Sequence, residues 1–427
     1  MKIAIIGAGF TGLAAAYYLS KKGCEVEVFE RDSNPGGLAV GLKEKSWQWT
    51  LEKHYHHWFT NDKSVLSLAS EINHKVLIRR PKTSSYVDNN IYQLDSPGSL
   101  LNFPKINIFD RIRMGASLAF LRYNPVWKPL EKFRAVPYLK ATMGQGGYKK
   151  IWEPLMKNKL GKYSHEVSLA WFWARVYKRT SYLAYPEGGF LKFAEHLQRV
   201  TEKQGGKFYY NTEVKEITGG EHPEISFEKN NKSPKMNNKF DKVIVTLPSF
   251  LFLKLASDLP NDYKKTLTGL RGLGAINLIL RLKSQFLRDG TYWLNMCDAN
   301  SPILAIVEHT NFMDKKHYNN EHLLYLGNYL EPSDPRFKMS EKELLELYDP
   351  WLKKIKPDYR SQIIDYELSR APFAQPIIPV NYSKLIPSFT TPLKNVFLAN
   401  IEQVYPWDRG TNYAVEIGKK ITDMISK

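Results

Sequence analysis

Cysteine is nearly absent from this 427-residue chain, which contains only Cys24 and Cys297. The two residues form no C-x-x-C pair, so the sequence excludes a disulfide framework and argues against a thiolate zinc site. Proteins without such a framework are typical of reducing compartments. We therefore expect a cytoplasmic protein.

Long hydrophobic runs are also absent. Outside the glycine-interrupted N-terminal segment there is no stretch of about 18 consecutive apolar residues, the length that a membrane-spanning helix requires. Hydrophobic residues nevertheless make up 43% of the chain and aromatic residues 13%, which excludes disorder of the whole chain. A chain of 427 residues exceeds the usual size of one hydrophobic core, so we expect two domains.

Acidic residues are scarce between residues 100 and 180, where 16 lysines and arginines face four acids in a chain of net charge +18. Residues 110–123 in this region predict an amphipathic helix with Ile112, Ala116, Ala119 and Phe120 on one side. A basic, aromatic region suits anionic lipid, a phosphorylated substrate or nucleic acid, and it equally suits a solvated face without a partner. No zinc-finger, RRM or basic-zipper pattern accompanies it, so nucleic acid is the weakest of these partners. We expect residues 100–180 to contact a membrane surface, with the protein peripheral to the membrane.

The first thirty residues predict a compact βαβ unit. Residues 2–6 have the composition of a buried strand, residues 12–22 that of a helix, and residues 25–30 alternate as a second strand. A glycine-rich turn, Gly7-Ala8-Gly9-Phe10-Thr11-Gly12, joins the first strand to the helix. This is the strand–turn–helix context in which a G-x-G-x-x-G motif binds a dinucleotide.

Each glycine of this turn has a separate physical role. Gly7 permits the tight turn, Gly9 lets the backbone approach a pyrophosphate, and Gly12 lets the helix pack against the sheet. The pyrophosphate then lies at the helix N-terminus, where free N–H groups and the helix dipole favour an anion. Glu30, at the end of the second strand, can accept hydrogen bonds from both ribose hydroxyls. The predicted contacts in this region are Gly7, Ala8, Gly9, Phe10, Thr11, Gly12, Glu30 and Arg31.

A second glycine pair follows in Asn34-Pro35-Gly36-Gly37, and the chain continues with Leu38. Two adjacent glycines allow a second backbone segment to lie against the pyrophosphate, so Gly36, Gly37 and Leu38 join the predicted contacts. Together with the C-terminal segment, this arrangement resembles the superfamily of FAD-dependent amine oxidases, phytoene desaturases and protoporphyrinogen oxidases. The turn residues alone fit either NAD or FAD, and the resemblance implies FAD.

Further blocks are similar to that superfamily and occur in the same order along the chain. They are residues 186–189, 212–217, 241–248, 395–400 and 412–418. The resemblance implies that Val214 contacts the adenine, and that Asn412, Tyr413 and Ala414 at a helix start contact the isoalloxazine. A helix N-terminus in that position would stabilise negative charge on the flavin as it is reduced.

One block departs from the superfamily pattern. Its members usually carry Gly-Asp after the closing strand, whereas this chain has Asn400-Ile401-Glu402. We therefore expect Glu402 to take the ribityl or pyrophosphate contact from a position one residue out of register.

The order of these segments predicts the fold class and the domain organisation. We expect an α/β protein with a discontinuous, Rossmann-type FAD-binding domain and an inserted α+β substrate domain. The FAD-binding domain comprises residues 1–60, 186–250 and 386–427. The substrate-binding domain comprises residues 61–185 and 251–385. Residues 229–239 have the composition of an exposed hairpin tip.

The resemblance also implies a reaction, in which a hydride passes from a C–H bond of a small-molecule substrate to flavin N5. We expect an oxidase or desaturase that acts on an apolar or amine-bearing substrate. Three alternatives stay open on the residues alone: a non-redox isomerase resembling UDP-galactopyranose mutase, a binding protein that has lost the chemistry, and an NAD-dependent dehydrogenase.

The most conspicuous polar cluster is His54-Tyr55-His56-His57-Trp58-Phe59. Strand alternation would place one of its histidines opposite the other two, and no cysteine is near, so we expect no metal. The position in the superfamily pattern lies close to the flavin, which makes His56 and His57 candidates for orienting substrate or carrying protons. A buried, hydrogen-bonded histidine without a catalytic role explains the pattern equally well.

Two further segments are candidates for the substrate cavity. Residues 405–410, Tyr-Pro-Trp-Asp-Arg-Gly, precede the helix that the resemblance places at the flavin, and residues 370–376 resemble another cavity-lining segment. We expect Tyr405 and Arg370 to act in catalysis. The resemblance implies that the loop offers aromatic walls and one ion pair, Asp408 with Arg409, beside the isoalloxazine. These two residues can instead merely pair with each other or cap the following helix.

Overall fold

The computed structural model describes residues 1–229 and 236–426. Its helices are α1 Phe10–Lys21, α2 Lys63–Glu71, α3 Pro97–Leu101, α4 Ile108–Tyr123, α5 Ala135–Thr142, α6 Gln145–Gly147, α7 Glu153–Leu160, α8 Leu169–Lys178, α9 Phe190–Lys203, α10 Ser249–Leu255, α11 Asn261–Thr268, α12 Glu341–Ile355 and α13 Thr411–Ile425. A π-helical turn, Tyr148–Trp152, leads directly into α7.

The strands follow in the same chain order. They are β1 Lys2–Ile6, β2 Glu25–Phe29, β3 Gly41–Leu42, β4 Leu51–Glu52, β5 Trp58–Phe59, β6 Val76–Arg79, β7 Lys82–Val87, β8 Asn90–Gln93, β9 Leu183–Pro186, β10 Lys207–Tyr209, β11 Thr212–Thr218, β12 Glu224–Lys229, β13 Met236–Lys239, β14 Lys242–Val245, β15 Gly272–Leu282, β16 Thr291–Met296, β17 Ala305–Glu308, β18 His322–Leu330, β19 Ile363–Pro376 and β20 Val396–Leu398.

A five-stranded parallel sheet has the order β10-β2-β1-β14-β20. Its strands are short and mostly apolar, and both faces are covered: α1 and α13 pack on one face, and the strands β11 and β12 with helices α10 and α11 pack on the other. The opening βαβ unit is confirmed, with α1 beginning two residues before the predicted start. Hydrophobic patterning also predicts strands at residues 207–210, 242–247 and 395–399 and a final helix at residues 412–425, and these are confirmed as β10, β14, β20 and α13.

Helices α1 and α13 pack tightly against each other over one face of this sheet. A Cβ atom on Gly418 of α13 would lie 2.6 Å from the carbonyl oxygen of Thr11, so only glycine permits this approach. A Cβ atom on Gly12 would lie 2.0 Å from the carbonyl oxygen of Gly7. The role that the sequence predicted for Gly12, close packing of the first helix, therefore matches the structure.

A second, antiparallel sheet, β11-β12-β13, lies beside the parallel sheet. Phe227 of β12 packs against Phe29 of β2 with ring centroids 5.0 Å apart, which joins the two sheets through one hydrophobic cluster. Residues 236–239, which the sequence assigned to an exposed hairpin tip, instead form strand β13 antiparallel to β12, and residues 230–235 of the predicted tip lie outside the described residues.

The largest sheet is mixed and has the order β19-β15-β18-β17-β16-β7-β8. One face carries a leucine-rich cluster that includes Leu278 and Leu326 and packs against α12. The opposite face contacts residues 54–57, because Asn277 of β15 reaches His54 and Gly327 of β18 lies under the ring of Tyr55. This sheet is therefore the wall against which the histidine segment lies.

Helices α4 to α8 form a separate layer around a cluster of aromatic and aliphatic side chains. The predicted helix near residues 110–123 is confirmed as α4. Its buried side carries Asp110, Met114, Ser117 and Leu121, and the apolar side that the sequence singled out faces solvent instead. Helix α4 thus exposes apolar side chains that an ordinary surface helix would bury.

The fold is α/β, with a Rossmann-type parallel sheet assembled from separated parts of the chain, as the sequence predicted. None of the helices in residues 1–229 and 236–426 combines the length and apolarity needed to cross a membrane.

Candidate functional site

The glycine turn places the start of α1 at the end of β1. Gly7 has a φ of +102°, a backbone conformation that favours glycine. Helix α1 begins after Gly9 with no side-chain cap and no acidic residue in its first turn. The first N–H groups of α1 are therefore available to an anion from outside the protein.

The second glycine pair lies directly against this turn. Gly9 and Gly36 form an isolated parallel bridge, and the Gly36 amide donates to the Ala8 carbonyl at 2.9 Å. A Cβ atom on Gly37 would lie 3.1 Å from the Cα of Gly9. Leu38 is exposed, at the open side of the same bend. Two backbones without side chains therefore meet in a cradle that fits a diphosphate.

Glu30 lies beside this cradle, at the end of β2. Its carboxylate accepts hydrogen bonds from the amides of Ala8 at 2.7 Å and Asp32 at 2.9 Å. Burial raises the pKa of Glu30 above its ordinary value, and these amide hydrogen bonds oppose the rise. Arg31 extends into solvent, with its Nε 3.6 Å from the Asp32 carboxylate.

Val214 lies behind Glu30 on β11. Strand β11 begins where the Thr212 amide donates to the Glu30 carbonyl at 2.8 Å. The Val214 side chain is buried in the cluster that contains Phe29 and Phe227. An adenine contact for Val214 is compatible with this position and stays a prediction.

The N-terminus of α13 forms the opposite side of the region. Asn412 is buried and accepts a hydrogen bond from the Val65 amide at 3.1 Å, and Tyr413 stacks on Trp407 with ring centroids 6.2 Å apart. Ala414 is half-buried in the first turn of α13. Like α1, this helix has no side-chain cap and no acidic residue in its first turn.

Glu402 is buried and its carboxylate turns toward α10. Its Oε2 accepts from the Ser249 amide at 2.8 Å and from the Asn400 amide group at 3.0 Å. Burial raises the pKa of Glu402, although these hydrogen bonds oppose the rise. The structure therefore gives this oxygen protein partners, and a pyrophosphate or ribityl contact for Glu402 would have to use the remaining oxygen.

These features fit a dinucleotide. Two uncapped helix starts, a glycine cradle and a carboxylate at the end of β2 surround one region at the carboxyl edge of the parallel sheet. Ligands of open α/β sheets bind at this edge. The cradle would hold the diphosphate, Glu30 the ribose, and the start of α13 the isoalloxazine.

The histidine segment connects this region to the large sheet. Trp58 Nε1 donates to Thr411 Oγ1 at 2.6 Å, which joins the segment to the start of α13. At the other end, the amide group of Asn277 contacts His54 Nδ1 at 2.5 Å. Residues 54–58 therefore lie between the start of α13 and the face of the seven-stranded sheet.

His56 and His57 both lie at this boundary between the start of α13 and the large sheet, which we call the seam. His56 Nδ1 lies 2.5 Å from the His54 carbonyl oxygen, which can only accept, so Nδ1 carries the proton and Nε2 has a free lone pair. His57 Nδ1 lies 3.1 Å from the Tyr292 hydroxyl. Burial lowers the pKa of His56 to about 4 and that of His57 to about 3, so both rings are neutral near pH 7.

The structure does not bring Tyr405 and Arg370 to the histidines. The Tyr405 hydroxyl donates to Glu131 at 3.1 Å, and its ring lies against Trp127. Arg370 is exposed and donates to the Met339 carbonyl on the α12 side of β19. Neither position supports a direct catalytic contact for Tyr405 or Arg370.

Three cations, of which the sequence singled out only Arg409, come together near the histidine segment. Arg175 of α8 donates to Asp408 at 2.7 Å and to Gln375 at 3.1 Å, and Arg409 also donates to Gln375. Lys159 of α7 lies 4.8 Å from the ring centroid of Tyr329. We call Lys159, Arg175 and Arg409 the cation cluster.

Some of these contacts had a signal in the sequence. Trp171 and Arg175 are four residues apart in α8, and the guanidinium stacks 3.6 Å from the indole centroid, a spacing that a helical prediction would have brought together. Gln375 belongs to the predicted cavity segment 370–376, although Arg370 at its start faces away. Among residues 1–229 and 236–426, no group of three or more histidine, cysteine, aspartate or glutamate side chains is placed to hold a metal ion.

Comparison with known proteins identifies the family to which the chain belongs. The pattern of the family described as "Flavin containing amine oxidoreductase" matches residues 10–404. Coproporphyrinogen III oxidase of Staphylococcus aureus is 24% identical over 310 residues, which are 62% of this chain and 64% of that protein. The 4,4'-diapophytoene desaturase of the same organism is 47% identical over 51 residues, 12% of this chain and 10% of that protein.

Solved structures share the fold over the whole chain. An oxidoreductase from Methanosarcina mazei has a TM-score of 0.77 at 19% identity, covering 99% of this chain and 100% of its own. Putrescine oxidase bound to putrescine has a TM-score of 0.77 at 17% identity and covers 100% of each chain. At these identities the likeness establishes the fold. The chain therefore belongs to the flavin containing amine oxidoreductase family.

Proposed function

We propose that the protein is an FAD-dependent oxidase or desaturase of an apolar or amine-bearing substrate, for which bound FAD would supply the hydride acceptor. The observation that carries this proposal is the position of residues 54–58. They are hydrogen-bonded to the start of α13 through Trp58 and to the large sheet through His54. A substrate held against that sheet would be next to the flavin-binding region.

The two domains given above by residue number are part of the same proposal. In it, the substrate domain supplies the wall that carries Asn277 and Tyr329, and the FAD-binding domain supplies the two uncapped helix starts. The cofactor contacts proposed above all belong to the FAD-binding domain.

His56 is the residue that we propose for proton handling. Its Nε2 lone pair is free because Nδ1 donates to the His54 carbonyl, and its ring centroid lies 5.5 Å from that of Phe190 at the start of α9. Removal of a hydride from a C–H bond next to nitrogen or carbon leaves a proton to be lost. A neutral imidazole in this seam can accept that proton or a hydrogen bond from the substrate.

The first experiment tests the cofactor and the class of reaction together. We expect the purified protein to show flavin absorption bands, and an anaerobic substrate panel to bleach them. Mass spectrometry of co-purifying small molecules supplies the first compounds for that panel. Turnover without net consumption of an electron acceptor would instead favour the isomerase, and a flavin that no donor reduces would favour a binding protein.

A variant pair tests His56. We expect His56→Gln to retain FAD and to slow flavin reduction by substrate about 100-fold, which is the lower range of general-base contributions. His309→Gln is a suitable control because His309 is buried and its pKa is lowered to about 3, yet it pairs with Tyr318 outside the seam. Equal rates in His56→Gln and wild type would remove His56 from the reaction.

We also propose that the protein takes an apolar substrate from a membrane surface through α4. The solvent-facing side of this helix exposes Phe109 by 76% and Tyr123 by 81%, with Ile112 and Phe120 between them. Monomeric proteins rarely expose a contiguous apolar stripe of this kind. The excess of lysine and arginine across residues 100–180 adds attraction to anionic lipid.

Vesicle co-sedimentation tests this surface. We expect binding to phosphatidylglycerol-containing vesicles, weaker binding to pure phosphatidylcholine, and loss of binding in the double variant Phe109→Ser, Phe120→Ser. Ile364→Ser is the matched control because Ile364 is 45% exposed on β19, at a distance in sequence from α4. Unchanged sedimentation of the double variant, or binding to RNA in place of vesicles, would contradict the proposal.

A further inference from the structure

The cation cluster brings three positive side chains from three separate parts of the chain together. Lys159 comes from α7, Arg175 from α8, and Arg409 from the loop before α13. Burial lowers the pKa of Lys159 well below its ordinary value, and the nearby Arg175 and Arg409 lower it further. Placing like charges together in a protein interior destabilises the folded state unless an anion compensates them.

The acidic side chain beside the cation cluster does not balance its positive charge. Asp408 is the carboxylate that acts on all three cations, through a 2.7 Å hydrogen bond with Arg175 and a 3.8 Å approach to Arg409. Burial favours its neutral form, but the attraction of the cations is greater and holds the pKa of Asp408 below its ordinary value. One carboxylate therefore faces three cations.

The remaining partners of the cluster are neutral. Gln375 accepts from both arginines, and the Tyr329 hydroxyl accepts from Arg409. The Nη1 atom of Arg175 is buried and has no hydrogen-bond partner among the described residues. A guanidinium with a buried, unused donor is a recognition group that lacks its acceptor.

The cation cluster is partly accessible to solvent and contacts aromatic side chains. The side chains of Arg175 and Arg409 keep 16% and 18% of their surface accessible. Trp171 lies under Arg175, and Tyr329 lies between Arg409 and Lys159. Arg409 also lowers the pKa of His54 and His56, which places its charge beside the histidine segment.

We propose that Lys159, Arg175 and Arg409 form a subsite for an anionic group of the substrate, a carboxylate or a phosphate ester at one end of an apolar body. The inference rests on the proposed function, because it describes which molecules would reach the flavin. It narrows the substrate class, since a site with excess positive charge repels a simple cationic amine. The anionic end would lie at the cation cluster and the apolar body along the aromatic side chains.

Binding of four ten-carbon probes to the FAD-loaded enzyme tests the inference. Decanoate and decyl phosphate carry the two anionic groups, and decylamine and decanol carry a cation and no charge on the same chain. Probe binding is followed by the change in the visible flavin spectrum and by the shift in melting temperature. We expect the anionic probes to bind at least ten-fold more tightly than decylamine and decanol, and their ratio tells carboxylate from phosphate ester.

Two variants locate the binding. Arg409→Gln should weaken the tighter anionic probe by about 10-fold to 100-fold, the range of a charge-assisted hydrogen bond, and leave decanol binding unchanged. Arg175→Lys retains the positive charge but not the planar guanidinium, so its loss of affinity for the anionic probe should be smaller than that of Arg409→Gln. Arg336→Gln is the matched control because Arg336 is a partly buried arginine that Asp334 already neutralises.

The outcomes separate this inference from the proposed function. Tighter binding of decylamine than of decanoate, or equal anion binding by wild type and Arg409→Gln, would overturn the subsite while an FAD oxidoreductase remained. Loss of FAD from an Arg409→Gln protein that still unfolds cooperatively would assign the cations to the cofactor and would also overturn the subsite. Arg409-dependent anion binding by a protein that cannot retain FAD would support the subsite and contradict the proposed function.

Discussion

Replacement of Gly9 by valine distinguishes the two roles of the glycine turn, because it should remove cofactor binding and leave folding intact. A Cβ atom on Gly9 would lie 3.9 Å from its nearest neighbour, the Cα of Gly37, which is ordinary contact. The backbone at Gly9 is extended, with φ −69° and ψ 172°, and any residue can adopt it. We therefore expect Gly9→Val to fold normally while its side chain fills the cradle meant for the diphosphate.

The expected effect follows from binding linkage. FAD present at 100 times its dissociation constant stabilises the folded protein by about 2.7 kcal/mol. A variant that binds FAD 100-fold more weakly gains only about 0.4 kcal/mol at the same concentration. Because β-branched valine restricts the unfolded chain more than glycine does, the FAD-free variant should be as stable as wild type or slightly more stable.

The assay measures flavin content and urea unfolding with and without added FAD. Gly98→Val is the control, since a Cβ atom on Gly98 meets no atom within 4 Å and the residue is remote from the turn. Gly12→Ala is the opposite case because its Cβ would lie 2.0 Å from the Gly7 carbonyl oxygen, so it should destabilise even the FAD-free protein. Wild-type flavin content in Gly9→Val would refute the assignment of the turn.

Three further predictions use other parts of the molecule. Burial raises the pKa of Glu52 from 4.5 to about 7 against opposing hydrogen bonds, so its neutral form stabilises the fold at low pH and this contribution is lost as pH rises through about 7. Glu52→Gln cannot ionise and should flatten the fall in melting temperature between about pH 4.5 and pH 7; an unchanged profile would contradict the shift. Leu278→Ala should cost about 2–5 kcal/mol in urea unfolding, because Leu278 is fully buried against α12; a smaller loss would mean that this core collapses around the cavity. Arg370→Gln should leave FAD content and turnover near wild type, and a large loss of turnover would return Arg370 to the active site.

The FAD-binding half of the fold could be predicted from the sequence because its signals are local. The turn at residues 7–12, the alternating strand before Glu30 and the helix start at Asn412 each involve fewer than about twenty consecutive residues, and the backbone chemistry of each is specific. The bounds of β1, β2, β10, β14, β20 and α13 accordingly lie within two residues of those predicted.

The substrate side was less predictable because its contacts join distant segments. Lys159, Arg175 and Gln375 meet only after α7, α8 and β19 have packed, and no local pattern records that meeting. The orientation of α4 was also undetermined. Its apolar stripe predicts a helix, but periodicity cannot tell whether that stripe faces a core or a membrane.

The order of the parallel sheet has a consequence for synthesis of the chain. Strand β1 pairs on one side with β2 but on the other with β14, whose first residue Lys242 is opposite Ile3. At about 5–20 residues per second, a ribosome takes roughly 12–48 seconds to add the 240 or so residues between them. During that interval one apolar edge of the nascent cofactor sheet is open to misplaced strands, so a chaperone that covers short exposed edges should raise the yield of yellow, FAD-loaded enzyme.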